Sequence, residues 1–310
     1  DVESFTNRLS LTASSVSETA QDAHGILVDL GGVLETIDNS GNLIAQVFGE
    51  IGAATAIRDL SGTLDTINNS GSIIAQVIPT DADPSDDVFP VATGPAIAID
   101  VSNAAQAVTI TQTAPVAFND DDGVDNDAAA LPPTRIQGDI LLGAFGDTIN
   151  LRAGEIIGDI DFAGGVDFME IDNGAVFRGQ ITDDGTLDLN IIDGTLDLRG
   201  GALTIDTAAF GADAVLGVLL SDVPAESTLI TATSVTFAPG SSVIATVPVG
   251  LPTSDTITFL TAASMTGGSN VVGVVDGPGT SFLYNMAVQL GSPGNGDGLA
   301  NSLELDFQIK

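Results

Sequence analysis

Apolar and polar side chains alternate in short runs, and whole runs come back along the chain at near-fixed distances. Val33-Leu34-Glu35-Thr36-Ile37-Asp38-Asn39-Ser40-Gly41-Asn42-Leu43-Ile44-Ala45-Gln46-Val47 returns 30 residues later as Thr63-Leu64-Asp65-Thr66-Ile67-Asn68-Asn69-Ser70-Gly71-Ser72-Ile73-Ile74-Ala75-Gln76-Val77. The period-2 alternation predicts half-buried strands. The shared Asn-Ser-Gly predicts a turn between them. Later, Gly138-Asp139-Ile140 recurs as Gly158-Asp159-Ile160 and loosely as Gly179-Gln180-Ile181, a spacing of about 20. Repeats of this size, in a chain rich in Gly, Asp, Asn, Val and Ile, predict a coiled stack of short strands. Thirty residues fit one wide coil or one and a half narrow ones, and the pattern alone leaves both open.

Four regions follow from the pattern. Residues 1–30 are the least periodic; Ser15 to Asp22 suggests a short polar helix, and the segment is expected to cap the open end of the stack. Residues 31–135 carry the long repeats, interrupted by Pro- and Asp-rich excursions at 79–95 and 115–133. Residues 136–225 form regular coils of about 20 residues. At that offset Ile149 and Leu151 are expected over Met169 and Ile171, and Ile140 and Leu142 over Ile160 and Phe162. Residues 226–310 read as strand after strand, with runs at 228–237, 242–249, 256–261, 271–275, 282–290 and 303–309. The expected class is all-β, a strand solenoid with a short N-terminal capping segment.

Composition sharpens this picture. The 310 residues are 44% hydrophobic, enough for a substantial core, with no Trp and one Tyr. Acids outnumber Lys and Arg by 42 to 7, a net charge of −35. Such a field repels nucleic acid and anionic membrane surfaces and favours cations and solubility. Cysteine is absent, so burial alone must hold the fold together. No apolar stretch approaches the length of a membrane helix, and no apolar leader precedes Asp1, as expected of a chain whose signal peptide has been removed.

The run Ala54-Ala-Thr-Ala-Ile-Arg-Asp-Leu-Ser-Gly-Thr-Leu-Asp-Thr-Ile-Asn-Asn-Ser-Gly-Ser-Ile, with the block from Ile136 to Gly179, resembles passenger domains of autotransporters, the type V secreted proteins of Gram-negative bacteria. The ending, from Phe282 to Lys310, resembles the junction before the membrane barrel in that family. The resemblance spans about Gly25 to Lys310. It implies a right-handed parallel β-helix, exported unfolded and folding outside the cell, released or held at the outer-membrane surface. It also implies a membrane barrel in the precursor, although none follows Lys310, and no stable membrane insertion of this portion itself.

Candidate chemistry is sparse. Asn119-Asp120-Asp121-Asp122-Gly123-Val124-Asp125-Asn126-Asp127 is the best candidate metal site, with Asp120, Asp122, Asp125 and Asp127 as ligands for Ca²⁺, since closely spaced carboxylates around a Gly bend converge on a hard cation. Stacked Asp139/Asp159 and Asp147/Asp167 would bring like charges to coil spacing. A serine protease would hang on His24, the sole histidine, and on Gly279-Thr280-Ser281; the residues around them do not support it. The Thr-x-Thr pairs Thr109/Thr111 and Thr256/Thr258 suggest an ice-binding array, but such pairs do not recur coil after coil, so no flat Thr array is expected. The expectation is therefore a non-enzymatic extracellular structural or adhesive protein, contacting cell surfaces, biofilm or matrix, or pairing head to tail through coil ends into filaments. The runner-up is a carbohydrate-active β-helix enzyme of the lyase or glycoside hydrolase type.

Overall fold

The computed structural model describes residues 3–16, 22–49, 51–80, 92–115, 134–221, 223, 226–247, 255–276, 284–290 and 302–309. Apart from the last two strands of the chain, strands pair coil over coil rather than with their chain neighbours, as a parallel β-helix requires. The chain divides into two units, Asp1–Ala163 and Gly164–Lys310.

In the first unit each turn supplies three strands, one per face. The first turn is β1 (Ser4–Asn7), β2 (Ser10–Val16) and β3 (Ala23–Val28); the second is β4 (Thr36–Asn39), β5 (Asn42–Phe48) and β6 (Ala54–Asp59). The third is β7 (Thr66–Asn69), β8 (Ser72–Ile78) and β9 (Ala96–Asp100), and the fourth is β10 (Thr109–Gln112), β11 (Arg135–Gln137) and β12 (Asp139–Leu141). The fifth is β13 (Thr148–Leu151), β14 (Glu155–Ile157) and β15 (Ile160–Asp161). All pairings are parallel: β1-β4-β7-β10-β13 on the first face, β2-β5-β8-β11-β14 on the second and β3-β6-β9-β12-β15 on the third. Thirty residues thus make one full turn, which resolves the open question of coil width.

The described residues of 1–30 supply the three strands β1, β2 and β3, each in parallel register with β4, β5 and β6 of the next turn. Ser15 and Val16, expected in a polar helix, belong to β2 and pair with Val47 and Phe48. The rest of that proposed helix, 17–21, lies outside the described residues, as do 81–91 and 116–133 of the two excursions.

Apolar residues pile into interior columns. Ile37, Ile67, Ile110 and Ile149 stack on the first face, and Leu43, Ile73, Ile136 and Ile156 on the second. Ile57, Ile99, Ile140 and Ile160 do the same on the third, as the 20-residue offset predicts for the last pair. All twelve are essentially inaccessible to solvent. Full burial of such a side chain is worth about 1.5–3 kcal/mol.

A polar column sits beside the first of these. Asn7 Nδ2 donates to Asn39 Oδ1 at 2.8 Å, Asn39 Nδ2 to Asn69 Oδ1 at 2.8 Å, and Asn69 Nδ2 to Gln112 Oε1 at 3.0 Å. Gln112 Nε2 ends the series on the carbonyls of Ala153 and Glu155. Each amide both donates and accepts, so the chain of buried groups is satisfied. In the fifth turn the position passes to Leu151, which pairs with Gln112. Turns are held by buried carboxylates: Asp59 accepts from Ser61 N–H and Oγ–H through Oδ1 and from Leu64 N–H through Oδ2.

The second unit begins with β16 (Phe168–Ile171), β17 (Val176–Gly179), β18 (Ile181–Thr182), β19 (Asp188–Ile191) and β20 (Thr195–Leu198). Its next strands are β21 (Ala202–Phe210), β22 (Val215–Leu219), β23 (Leu229–Phe237), β24 (Ser242–Thr246), β25 (Asp255–Thr266) and β26 (Val272–Asp276). The twin Gly-Thr-Leu-Asp-Leu segments fall on successive faces, in β19 and β20. After β18 the third face has no strands of its own among the described residues. β21 and β23 lengthen to nine residues, and their alternation slips at Asp206-Thr207 and Thr233-Ser234, where two neighbours both point outward. One bent strand then covers two faces. The interior column Ile171-Ile191-Phe210-Phe237 is apolar throughout, and it ends in stacked rings.

The last two strands, β27 (Tyr284–Leu290) and β28 (Ser302–Ile309), depart from the solenoid. β28 lies antiparallel on β25 and β27 antiparallel on β28. The sequence marks both as strands but carries no sign of their direction.

Candidate functional site

The outer side of the first face in the Asp1–Ala163 unit is a lattice of short polar side chains. The inward residues Ile37, Ile67, Ile110 and Ile149 fix the pleat, so their neighbours point out. Ser4, Thr36, Thr66, Thr109 and Thr148 form one outward column. Thr6, Asp38, Asn68, Thr111 and Asn150 form the next. The turn residues Arg8, Ser40, Ser70, Thr113 and Arg152 make a third. Four of them are tied in step, because the N–H groups of Ser40, Ser70, Thr113 and Arg152 donate to the carbonyls of Asn7, Asn39, Asn69 and Gln112. None of the fifteen is buried. Rows are about 4.8 Å apart, and columns within the strand about 7 Å apart.

The register survives unequal coil lengths. Thr66 pairs with Thr109 and Thr109 with Thr148, although 43 and 39 residues separate them. Single threonines thus recur at one position of successive rows, while the Thr-x-Thr pair occurs on this face of the Asp1–Ala163 unit only at Thr109/Thr111. The signal was present as four tetrads, Thr36-Ile-Asp-Asn39, Thr66-Ile-Asn-Asn69, Thr109-Ile-Thr-Gln112 and Thr148-Ile-Asn-Leu151. The intervening excursions hide it from any search at a fixed period.

A cleft of about 280 Å³ is set into the lattice, lined by Thr6, Arg8, Asp38, Ser40, Asn68, Ser70 and Thr113, with Asn39 and Asn69 of the buried ladder at its floor. Asn68 Nδ2 donates to Asp38 Oδ1 at 2.8 Å across neighbouring rows. Of the chain's seven cations two stand on this lattice, Arg8 and Arg152, against a single acid, Asp38. Those fifteen positions thus hold two cations and one acid in a molecule of net charge −35. The N-terminal margin of the lattice is acidic: Glu3, Glu35 and Asp65 stack at the preceding corner, where Gln106 Nε2 donates to Asp65 Oδ2 at 2.7 Å.

The carboxylates singled out by sequence have other settings. Asp139 and Asp159 do stack, with Asp159 N–H donating to Asp139 Oδ1 at 2.9 Å. Burial raises the Asp139 pKa, opposed by that hydrogen bond, and the neighbouring Asp159 charge raises it further. Asp147 is fully buried and accepts from Val108 N–H at 2.6 Å. Desolvation pushes its pKa up to about 6, against the hydrogen bonds from Val108 and Gly143. Asp167 is buried as well. Asp120, Asp122, Asp125 and Asp127, the proposed calcium ligands, lie outside the described residues. Among the described residues no group of three or more His, Asp or Glu side chains is placed to hold a metal ion. His24 is half-buried in β3 beside Thr55, and Ser281 lies outside the described residues.

Three further arginines lie against acids. Arg58 Nε lies 3.3 Å from Asp100 Oδ2, and Asp197 Oδ2 receives both Arg178 Nε at 3.0 Å and Arg199 Nη2 at 2.5 Å.

A scan against protein-family models finds no match, and neither do searches of the curated proteins and of the solved structures.

Proposed function

We propose that this chain is an extracellular, non-enzymatic β-helix of the autotransporter passenger kind, acting as a structural or adhesive element at or beyond the outer-membrane surface of a Gram-negative bacterium. Its precursor carries a membrane barrel, and its partners are cell-surface or matrix components and other copies of itself.

One observation carries the choice of adhesion over catalysis: the polar cleft has a single carboxylate, Asp38, in its lining. Glycosidic bond cleavage by the usual route takes two carboxyl groups at a set separation. The large aromatic side chains Phe162, Phe177, Phe237 and Phe259 are packed inside the coils. What the lattice offers is many weak, evenly spaced hydrogen-bonding groups on a rigid support, which suits contact.

Self-association has its own physical motive. The first coil presents a groove of about 680 Å³ whose lining includes Phe5, Leu11, Ile26, Val28 and Leu34 together with Asp29. Coil-on-coil pairing would bury it and would propagate as a filament.

The test takes the purified chain through three assays. Beads coated with it are expected to adhere to bacterial or host surfaces, with no release of reducing ends or unsaturated products from a polysaccharide panel. Turnover of any polysaccharide would replace this reading with the carbohydrate-active enzyme. Electron microscopy that shows only dispersed monomers, with and without Ca²⁺, would remove the filament.

A further inference from the structure

We infer that the outer lattice of the first face, Ser4 to Arg152, is a glycan-binding surface whose ligand is a neutral, extended polysaccharide lying along the coil stack. This rests on the adhesive reading above and names the surface and the ligand class through which adhesion acts.

The chemistry of the fifteen positions selects the ligand. Thr and Ser hydroxyls donate and accept, and Asn side chains do both through separate atoms. A polyhydroxyl chain is the extended ligand that matches such mixed donors and acceptors at every row. Proteins recognise most other extended ligands through apolar pockets or dense charge, and neither is present among these positions.

Charge then separates neutral from acidic glycans. The net charge of −35 repels a polyanion at long range. Arg8 and Arg152 stand at opposite ends of the lattice, four coil steps or about 19 Å apart, too far to grip one acidic sugar together. Nearer at hand, Glu3, Glu35 and Asp65 oppose a uronate along one margin.

Shape and stiffness agree. The cleft runs through four coils, from Arg8 past Ser40 and Ser70 to Thr113, about 14 Å, which is room for a short stretch of sugar rings. Its floor residues Asn39 and Asn69 are locked in the buried amide series. Short side chains on a fixed lattice lose little freedom on binding, so weak contacts add up.

The experiment uses the full chain with insoluble cellulose, chitin and mannan as neutral probes, polygalacturonate as the anionic probe, and ice-shaping as a separate assay. Retention on at least one neutral polysaccharide is expected, with weaker or no retention on polygalacturonate. The double variant Asp38→Ala/Asn68→Ala should weaken retention about tenfold. Ser40→Arg, at an exposed turn position, should abolish it by filling the cleft while leaving the thermal midpoint unchanged. The control Gln46→Ala/Gln76→Ala, on the second face, should bind as the parent does. Failure to bind any neutral polysaccharide, equal binding by parent and Ser40→Arg, preference for polygalacturonate, or ice-shaping in place of glycan binding would each overturn the assignment. Adhesion that persists without glycan retention would sink this surface and spare the adhesive reading, whereas loss of both would sink both.

Discussion

Asn39 and Asn69, 30 residues apart in sequence, face each other inside the coil stack with Nδ2 of the first donating to Oδ1 of the second at 2.8 Å. The contact joins two turns at the wall that carries the polar lattice outside, so the stability of the core and the rigidity of the candidate site share one set of residues. Removing Asn39 leaves the amides of Asn7 and Asn69 short of partners in a buried setting. Asn39→Ala should cost about 2–4 kcal/mol, whereas Asn68→Ala next door, on the exposed side, should cost below about 1 kcal/mol. Chemical denaturation of both variants checks the contrast.

The Asn-Ser-Gly turns stack so closely that only glycine fits. A Cβ on Gly71 would lie 2.1 Å from the Gly41 carbonyl oxygen, while one on Gly31, at φ +80°, would meet nothing within 4 Å. Gly71→Ala should therefore destabilise by about 2–3 kcal/mol. Gly31→Ala should cost about 1 kcal/mol from backbone strain alone. Thermal melts of the two variants separate close approach from conformational preference.

Phe210 and Phe237 stack with ring centroids 4.8 Å apart and planes 12° from parallel. Phe237→Ala should lose about 3–5 kcal/mol. A double-mutant cycle with Phe210→Leu should return a coupling of about 1 kcal/mol. Additive losses would mean the rings act separately.

How much of this was legible depended on whether the spacing was local. The 20-residue turns and the Ile140/Ile160 stack follow from alternation and repeat length, whereas the 30-residue repeat leaves the coil width open until the pairing of β4 with β7 settles it. The strand at Ser10–Val16 is hard to read because Ser or Thr fills four of its seven positions, leaving only Leu11 and Ala13 to mark its inner side. The threonine column was missed because insertions of unequal length sit between its members. The antiparallel β27–β28 pair was invisible for another reason: alternation reports which side a residue faces and not which way a strand runs.

Asp147 gives the fold a pH signature. Its pKa in the folded chain is pushed up to about 6 from an ordinary 3.8, so the folded chain keeps a proton that the unfolded chain has released. The stabilisation this provides is complete below pH 4 and is lost as pH rises through 6, an effect of up to about 3 kcal/mol. Asp147→Asn keeps an oxygen for Val108 N–H and carries no charge. It should be more stable than the parent at pH 7 and indistinguishable from it near pH 4, as stability measured across that range will show.

The account depends on a face assembled in register from coils of unequal length. Because the chain has no cysteine of its own, paired substitutions read that register directly. Asn68→Cys with Thr111→Cys places two thiols on adjacent rows, within the reach of a disulfide, across 43 residues of sequence. Rapid, near-complete cross-linking of this pair under mild oxidation is predicted, with little from Asn68→Cys paired with Asn150→Cys two rows away. Cross-linking of the second pair in place of the first would contradict the lattice and everything built on it.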